Sequence, residues 1–152
     1  MIKTFAILAA ATFAAAPAIA QDTGKDVVTY TTSASFADAT FALENAIIGQ
    51  GLVVDSVSHT GDMLERTKED VGSDVTIFTG ADIYSFCSAQ LSRKAMEADY
   101  MNVRFCPYDI FVFARPETPD ESVIGYRTFP EGPMQDVQAL LDKIARDAAG
   151  VK

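Results

Sequence analysis

The chain has 152 residues, a formal net charge of −9 and an apolar fraction of 49%. That length suits one domain with a real core. The acidity sets it against DNA, RNA and anionic lipid, so nucleic acid is not an expected partner.

The first stretch, "MIKTFAILAAATFAAAPAIAQ", has the layout of a secretory signal peptide. Lys3 and the terminal amine supply positive charge, Phe5 to Ala16 are apolar, and Ala18-Ile19-Ala20 is a small-x-small cleavage signal. Cleavage is expected before Gln21, which gives residues 1–20 as leader and 21–152 as a single domain. A stable membrane anchor is not expected, because it needs about 20 strongly apolar residues, whereas alanine dominates here and Pro17 breaks the run. The expected location is the periplasm, an oxidising space in which cysteine pairs tend to close.

Gln21 to Asp26 reads as a loose polar leader, and "VVTYTTS" (Val27 to Ser33) as a β-branched strand. Ser35 suits an N-cap, with Phe36, Ala39, Leu43 and Ile47 at helical spacing and Gly51 as a stop. "LVVDSVSH" (Leu52 to His59) returns as a strand with Val53 and Val57 on one side. Asp62 is placed to cap a short helix that Gly72 ends. The stretch from Ser73 to Asp82 is ambiguous, because Val75 and Ile77 alternate but Gly80 interrupts; "IYSFCS" (Ile83 to Ser88) is a clearer strand. Ser88 then caps a helix through Leu91, Ala95 and Ala98.

"YDIFVFA" (Tyr108 to Ala114) is nearly all apolar, as a central strand should be. "RPETPDES" reads as a loop, and "VIGYRTF" (Val123 to Phe129) as a strand pairing back antiparallel. Pro133 opens a last helix with Met134, Val137, Leu140 or Leu141, Ile144 and Ala148 as its stripe, ended by Gly150. The order predicts an α+β domain: a mostly antiparallel sheet, helices packed on one face, and a long C-terminal helix.

The segments "DMLERT", "FCSA" and "FCPYDIFVF", followed by an antiparallel strand and a terminal helix, resemble the bacterial family called domain of unknown function 302. The resemblance runs roughly from Tyr30 to Ala149. The family's usual pattern has a cysteine just after the proline, whereas here Cys106 precedes Pro107 and Tyr108 follows it. The resemblance implies a compact α+β fold, helices gripping one face of an antiparallel sheet, and a tendency to dimerise. It implies no activity.

Cys87 and Cys106 are the two cysteines. If "IYSFCS" and "YDIFVFA" are neighbours in the sheet, both lie near one edge, and a disulfide would close a loop of about 20 residues, worth roughly 3 kcal/mol. Two separate buried thiols, or a reactive or ligand thiol, are the alternatives. No C-x-x-C redox motif is present.

His59, the single histidine, could join Met63 and Cys87 in a soft copper-type site, or cap a loop. Arg66 could clamp an anion, or pair with Asp62 or Asp70 at helical spacing. No P-loop, G-x-S-x-G, H-E-x-x-H or dinucleotide fingerprint occurs, so no catalytic residue and no cofactor is assigned.

Alternation sends Phe111 and Phe113 to the side opposite Ile110 and Val112. With helices on one face only, one of these sets stays partly bare, and such a patch marks a partner or ligand surface. The expected role is therefore a periplasmic binding or interaction module, non-enzymatic and homodimeric, with a small apolar ligand or a protein as the other occupant. The competing role is a thiol- or metal-handling protein using Cys87, Cys106 and His59.

Overall fold

The computed structural model describes residues 20–24 and 26–151, with side chains from residue 26 onward. Apart from Ala20, the expected signal peptide lies outside the described residues. Six strands, β1 (Ala20–Gly24), β2 (Val27–Thr32), β3 (Val54–Ser58), β4 (Gly80–Phe86), β5 (Tyr108–Arg115) and β6 (Thr118–Arg127), form one sheet. Its order is β1-β2-β6-β5-β4-β3, and every neighbouring pair is antiparallel. Four helices accompany it: α1 (Phe36–Gly49), α2 (Thr60–Thr67), α3 (Ala89–Ala98) and α4 (Gln135–Ala149).

The sheet has two unequal faces because alternate residues of a strand point opposite ways. On β5, Tyr108, Ile110, Val112 and Ala114 are buried, while Asp109, Phe111 and Phe113 are half-buried. Register carries the buried set across the sheet: Ile110 pairs with Tyr84, Tyr108 with Phe86, Val112 with Ile124, and Ile124 with Tyr30. Helices α1 and α4 lie on this inner face and against each other. Ala39, Leu43 and Ile47 of α1, and Val137, Leu141, Ile144 and Ala145 of α4, complete the core with no exposed surface. Each fully buried Leu or Ile contributes about 1.5–3 kcal/mol.

Local signals act where the sequence puts them. Ser35 Oγ accepts the backbone N–H of Asp38 at 3.2 Å and starts α1. Gly150 takes a left-handed conformation (φ 72°) that ends α4, its N–H and that of Val151 donating to the carbonyls of Asp147 and Arg146.

Several expectations need correction. Gln21 to Gly24 belong to edge strand β1, which pairs with β2, and are not a loose leader. Most of "RPETPDES" belongs to β6. Pro116 sits in a tight turn, Arg115 pairs with Thr118, and Pro119 falls within the bulge between Phe113 and Arg115, where a missing N–H breaks no regular ladder. Helix α2 begins at Thr60, with Asp62 in its first turn rather than at its cap. Val53 precedes β3 and is exposed, so it does not share a side with Val57. On α4, of the two leucines offered for the stripe, Leu141 is the fully buried one, as one alternative had it. Among the described residues, no helix is long and apolar enough to cross a membrane.

Candidate functional site

The outer face of the sheet is built from Ala81 and Ile83 of β4, Phe111 and Phe113 of β5, and Val123 and Gly125 of β6. Register sets Ile83 opposite Phe111, Phe111 opposite Gly125, and Phe113 opposite both Ala81 and Val123. Ile83, Phe111, Phe113 and Val123 are half-exposed. The rings of Phe111 and Phe113 stack with centroids 6.1 Å apart, and Phe78 tilts against Phe113 at 5.4 Å.

The apolar strip continues past Phe78 into a groove of about 270 Å³ between α2 and residues 73–78, lined by Met63, Leu64, Val71, Val75 and Ile77. Of these, Val71 is 76% exposed and Val75 61%. At the groove's edge Gly61 lets α2 approach β4 closely; a Cβ there would lie 2.6 Å from the backbone nitrogen of Ala81.

His59 sits at the mouth of α2 with its Nδ1 2.8 Å from Asp82 Oδ1. That hydrogen bond, then the carboxylate charge, raises the imidazole above its ordinary pKa. The expected His59, Met63 and Cys87 metal set is not assembled. Asp82, which holds His59, lies in β4 five residues before Cys87, which follows the strand's end, about 16 Å of extended chain. No group of three or more His, Cys, Asp or Glu side chains among the described residues could hold a metal ion.

Arg66 is exposed on α2, and no ion pair joins it to Asp62 or Asp70. The local ion pair is instead Lys68 with Glu65, extended by the Thr76 hydroxyl, which donates to Glu65 Oε2 at 3.0 Å. Lys68 lowers the Glu65 pKa.

Cys87 follows the end of β4 and Cys106 precedes the start of β5, so the pairing of Phe86 with Tyr108 brings them together. Their sulfurs are 3.3 Å apart, two thiols in contact outside bonding distance. Ser92 on α3 touches Cys106 Sγ at 3.5 Å and shares a hydrogen bond with the Tyr108 hydroxyl at 2.8 Å. Although Cys87 is exposed as a residue, the chain packed around its sulfur, then the neighbouring Cys106, pushes its thiol up to about 11.

Beside Cys106 lies a second groove, about 420 Å³, which also borders Arg104, Phe105, Asp109, Arg127 and Phe129. Arg127 and Asp109 stand opposite each other one step beyond the Phe111–Gly125 pair and form an ion pair at 3.2 Å. Arg104 stacks 4.5 Å over the Phe105 ring and donates to the Met101 carbonyl at 3.2 Å. Phe105 meets Phe129 edge-on at 5.3 Å. Only strand pairing puts Arg127 within reach of Cys106, 21 positions away in the chain.

No family model matches the chain, and no curated protein matches it significantly. Among solved structures, the crystal structure of the uncharacterized conserved protein DUF302 from Bacillus stearothermophilus superposes with a TM-score of 0.56 at 16% identity, covering 84% of this chain and 95% of that one. At that identity the likeness is one of fold: the chain shares the α+β architecture of a DUF302 protein, in keeping with the resemblance carried by its "DMLERT", "FCSA" and "FCPYDIFVF" segments.

Proposed function

We propose that the protein is an exported, non-enzymatic interaction module that pairs with a second copy of itself through the outer face of its sheet. The observation that carries this reading is the half-exposed aromatic strip of Phe78, Phe111 and Phe113, flanked by Ile83 and Val123, on a sheet whose two long helices occupy the other face. The apolar face spans β4, β5 and β6, of seven, eight and ten residues, spaced about 4.8 Å and rising about 3.3 Å per residue.

A second copy suits this face. Antiparallel sheets stack face to face, and a two-fold axis through Phe111 would set apolar centre on apolar centre. The flanking Arg127–Asp109 ion pair is internally neutral, so it repels no identical partner. Export is supported by the signal-peptide layout of residues 1–20, which would direct the domain to the periplasm.

Size-exclusion chromatography with light scattering on residues 21–152, at tens of micromolar, tests the pairing. Twice the monomer mass is expected, and a strict monomer overturns it. A monomer that takes up an apolar dye in the Met63–Ile77 groove would move the reading to a small apolar ligand. Fractionation of expressing cells, with sequencing of the new N-terminus, tests export; Gln21 as first residue in the periplasmic fraction is expected.

A further inference from the structure

We propose that Cys87 and Cys106 form a reversible dithiol–disulfide site, and that the groove beside Cys106 receives its exchange partner, a small anionic disulfide. This goes beyond the pairing of two copies, because the thiols and their groove lie at the end of the sheet where β4 stops and β5 starts.

The geometry favours the bridge. At 3.3 Å the sulfurs are inside ordinary non-bonded contact, and they flank adjoining antiparallel strands next to the paired Phe86 and Tyr108. Closing the bond asks for about 1.3 Å of sulfur movement, which side-chain rotation supplies. The bridge would tie the base of the excursion formed by residues 88–105. That excursion holds α3 and the 3-10 segment Tyr100–Phe105, and its other ties to the body include the exposed Lys94–Asp136 ion pair and the Phe105–Phe129 edge contact.

The groove specifies the partner. The chain is acidic overall, with 21 acidic side chains against 12 basic ones. Yet two guanidiniums, Arg104 and Arg127, border Cys106, and one carboxylate, Asp109, answers them. Within the groove's own lining the charge is net positive, which attracts an anion, and the Phe105 and Phe129 rings offer apolar walls. Cys106 lines the groove and Cys87 does not, so Cys106 is the sulfur that meets the ligand and Cys87 the one that resolves it.

The chemistry balances. The Cys106 thiol gives up its proton, and its sulfur attacks one sulfur of R–S–S–R. A Cys106–S–S–R bond forms, the ligand S–S bond breaks, and the departing thiolate takes a proton to become RSH. Cys87, losing its own proton, then attacks Cys106 Sγ and expels the second RS⁻, which is protonated. The protein dithiol is oxidised by two electrons and the ligand disulfide is reduced to two thiols.

The test uses residues 21–152 and two probes, oxidised glutathione (anionic) and bis(2-hydroxyethyl) disulfide (neutral), read by intact mass and thiol tagging. The wild type is expected to lose two hydrogens, accept no tag, and yield a Cys87–Cys106 peptide. Cys87→Ser is expected to accumulate one glutathione on Cys106, and Cys106→Ser to react at least about tenfold more slowly. The wild type should react about tenfold faster with the anionic probe than with the neutral one, relative to a free peptide thiol, and 0.5 M salt should erase that preference. Arg104→Gln with Arg127→Gln should erase it at low salt.

Two free thiols at equilibrium with excess oxidant would overturn the bridge. Trapping on Cys87 rather than Cys106, or no salt-sensitive preference in the wild type, would overturn the groove's role. These wild-type readouts decide the matter even if a variant fails to fold.

Discussion

The ring of Phe111 lies across Gly125 of the neighbouring strand and fills the space where a side chain at 125 would begin. A Cβ built there would sit 2.5 Å from the ring and 2.7 Å from the Val28 carbonyl oxygen. The relationship fixes how flat the outer face can be: a glycine in β6 lets an aromatic ring from β5 lie down instead of standing up.

Gly125→Ala should therefore destabilise the fold by about 1–3 kcal/mol, the usual cost of overpacking, read from the urea midpoint. Phe111→Leu in the same chain should restore part of that loss and no more, because the Val28 carbonyl is backbone and cannot step aside. Full restoration would mean that the ring alone sets the constraint.

Phe113 stands between Phe78 and Phe111 in the aromatic strip. If two copies meet there, Phe113→Asp places a carboxylate against an apolar surface and should weaken association at least ~100-fold, about 2.7 kcal/mol. Sedimentation velocity across a concentration series measures this. The variant should keep its thermal transition, since Phe113 is half-exposed and outside the main core.

Tyr30 and Tyr126 both donate to Asp142 Oδ1, from β2 and β6 respectively. Burial, then the Asp142 hydrogen bond and charge, raise both phenols above their ordinary pKa of 10.0, Tyr126 the more strongly. Burial also pushes Tyr108 up to about 12. A raised folded-state pKa means that this stabilisation is full below about pH 10 and is lost as pH rises beyond it, at up to ~1.4 kcal/mol per pH unit for each phenol. Unfolding free energy measured from pH 9 to 11.5 should fall steeply, and Tyr126→Phe should fall less steeply even though its starting stability is lower. Equal slopes would remove Tyr126 from the account.

His59 should titrate above 6.5 because Asp82 holds its Nδ1. NMR of the single imidazole measures this directly, and Asp82→Asn should bring the pKa back toward 6.5. The sign for stability follows: the contribution is present below 6.5 and lost as pH rises through the raised value. An unchanged pKa in Asp82→Asn would show that the hydrogen bond does not govern the ring.

The elements that local chemistry dictates were legible in the chain. Ser35 with Phe36, Ala39, Leu43 and Ile47 predicted α1, and the apolar run from Tyr108 predicted the central strand β5. "RPETPDES" misled because two prolines and three acidic residues look like a loop, whereas a bulge in β6 absorbs Pro119 and solvent takes the charges. The His59, Met63 and Cys87 grouping failed for a related reason: β4 is extended, and its length separates Asp82, which holds His59, from Cys87.

The sequence by itself determined the α+β class, the two-faced character of β5 and the surplus of aromatic residues in its second half, because periodicity and capping are local and survive without knowledge of partners. Only the tertiary structure decided which residues meet. Strand register brought Cys87 to Cys106, set Arg127 opposite Asp109 beside them, and laid Phe111 over Gly125. Those contacts join positions 14 to 19 apart in the chain through backbone pairing, and a one-residue slip would have sent each side chain to the other face.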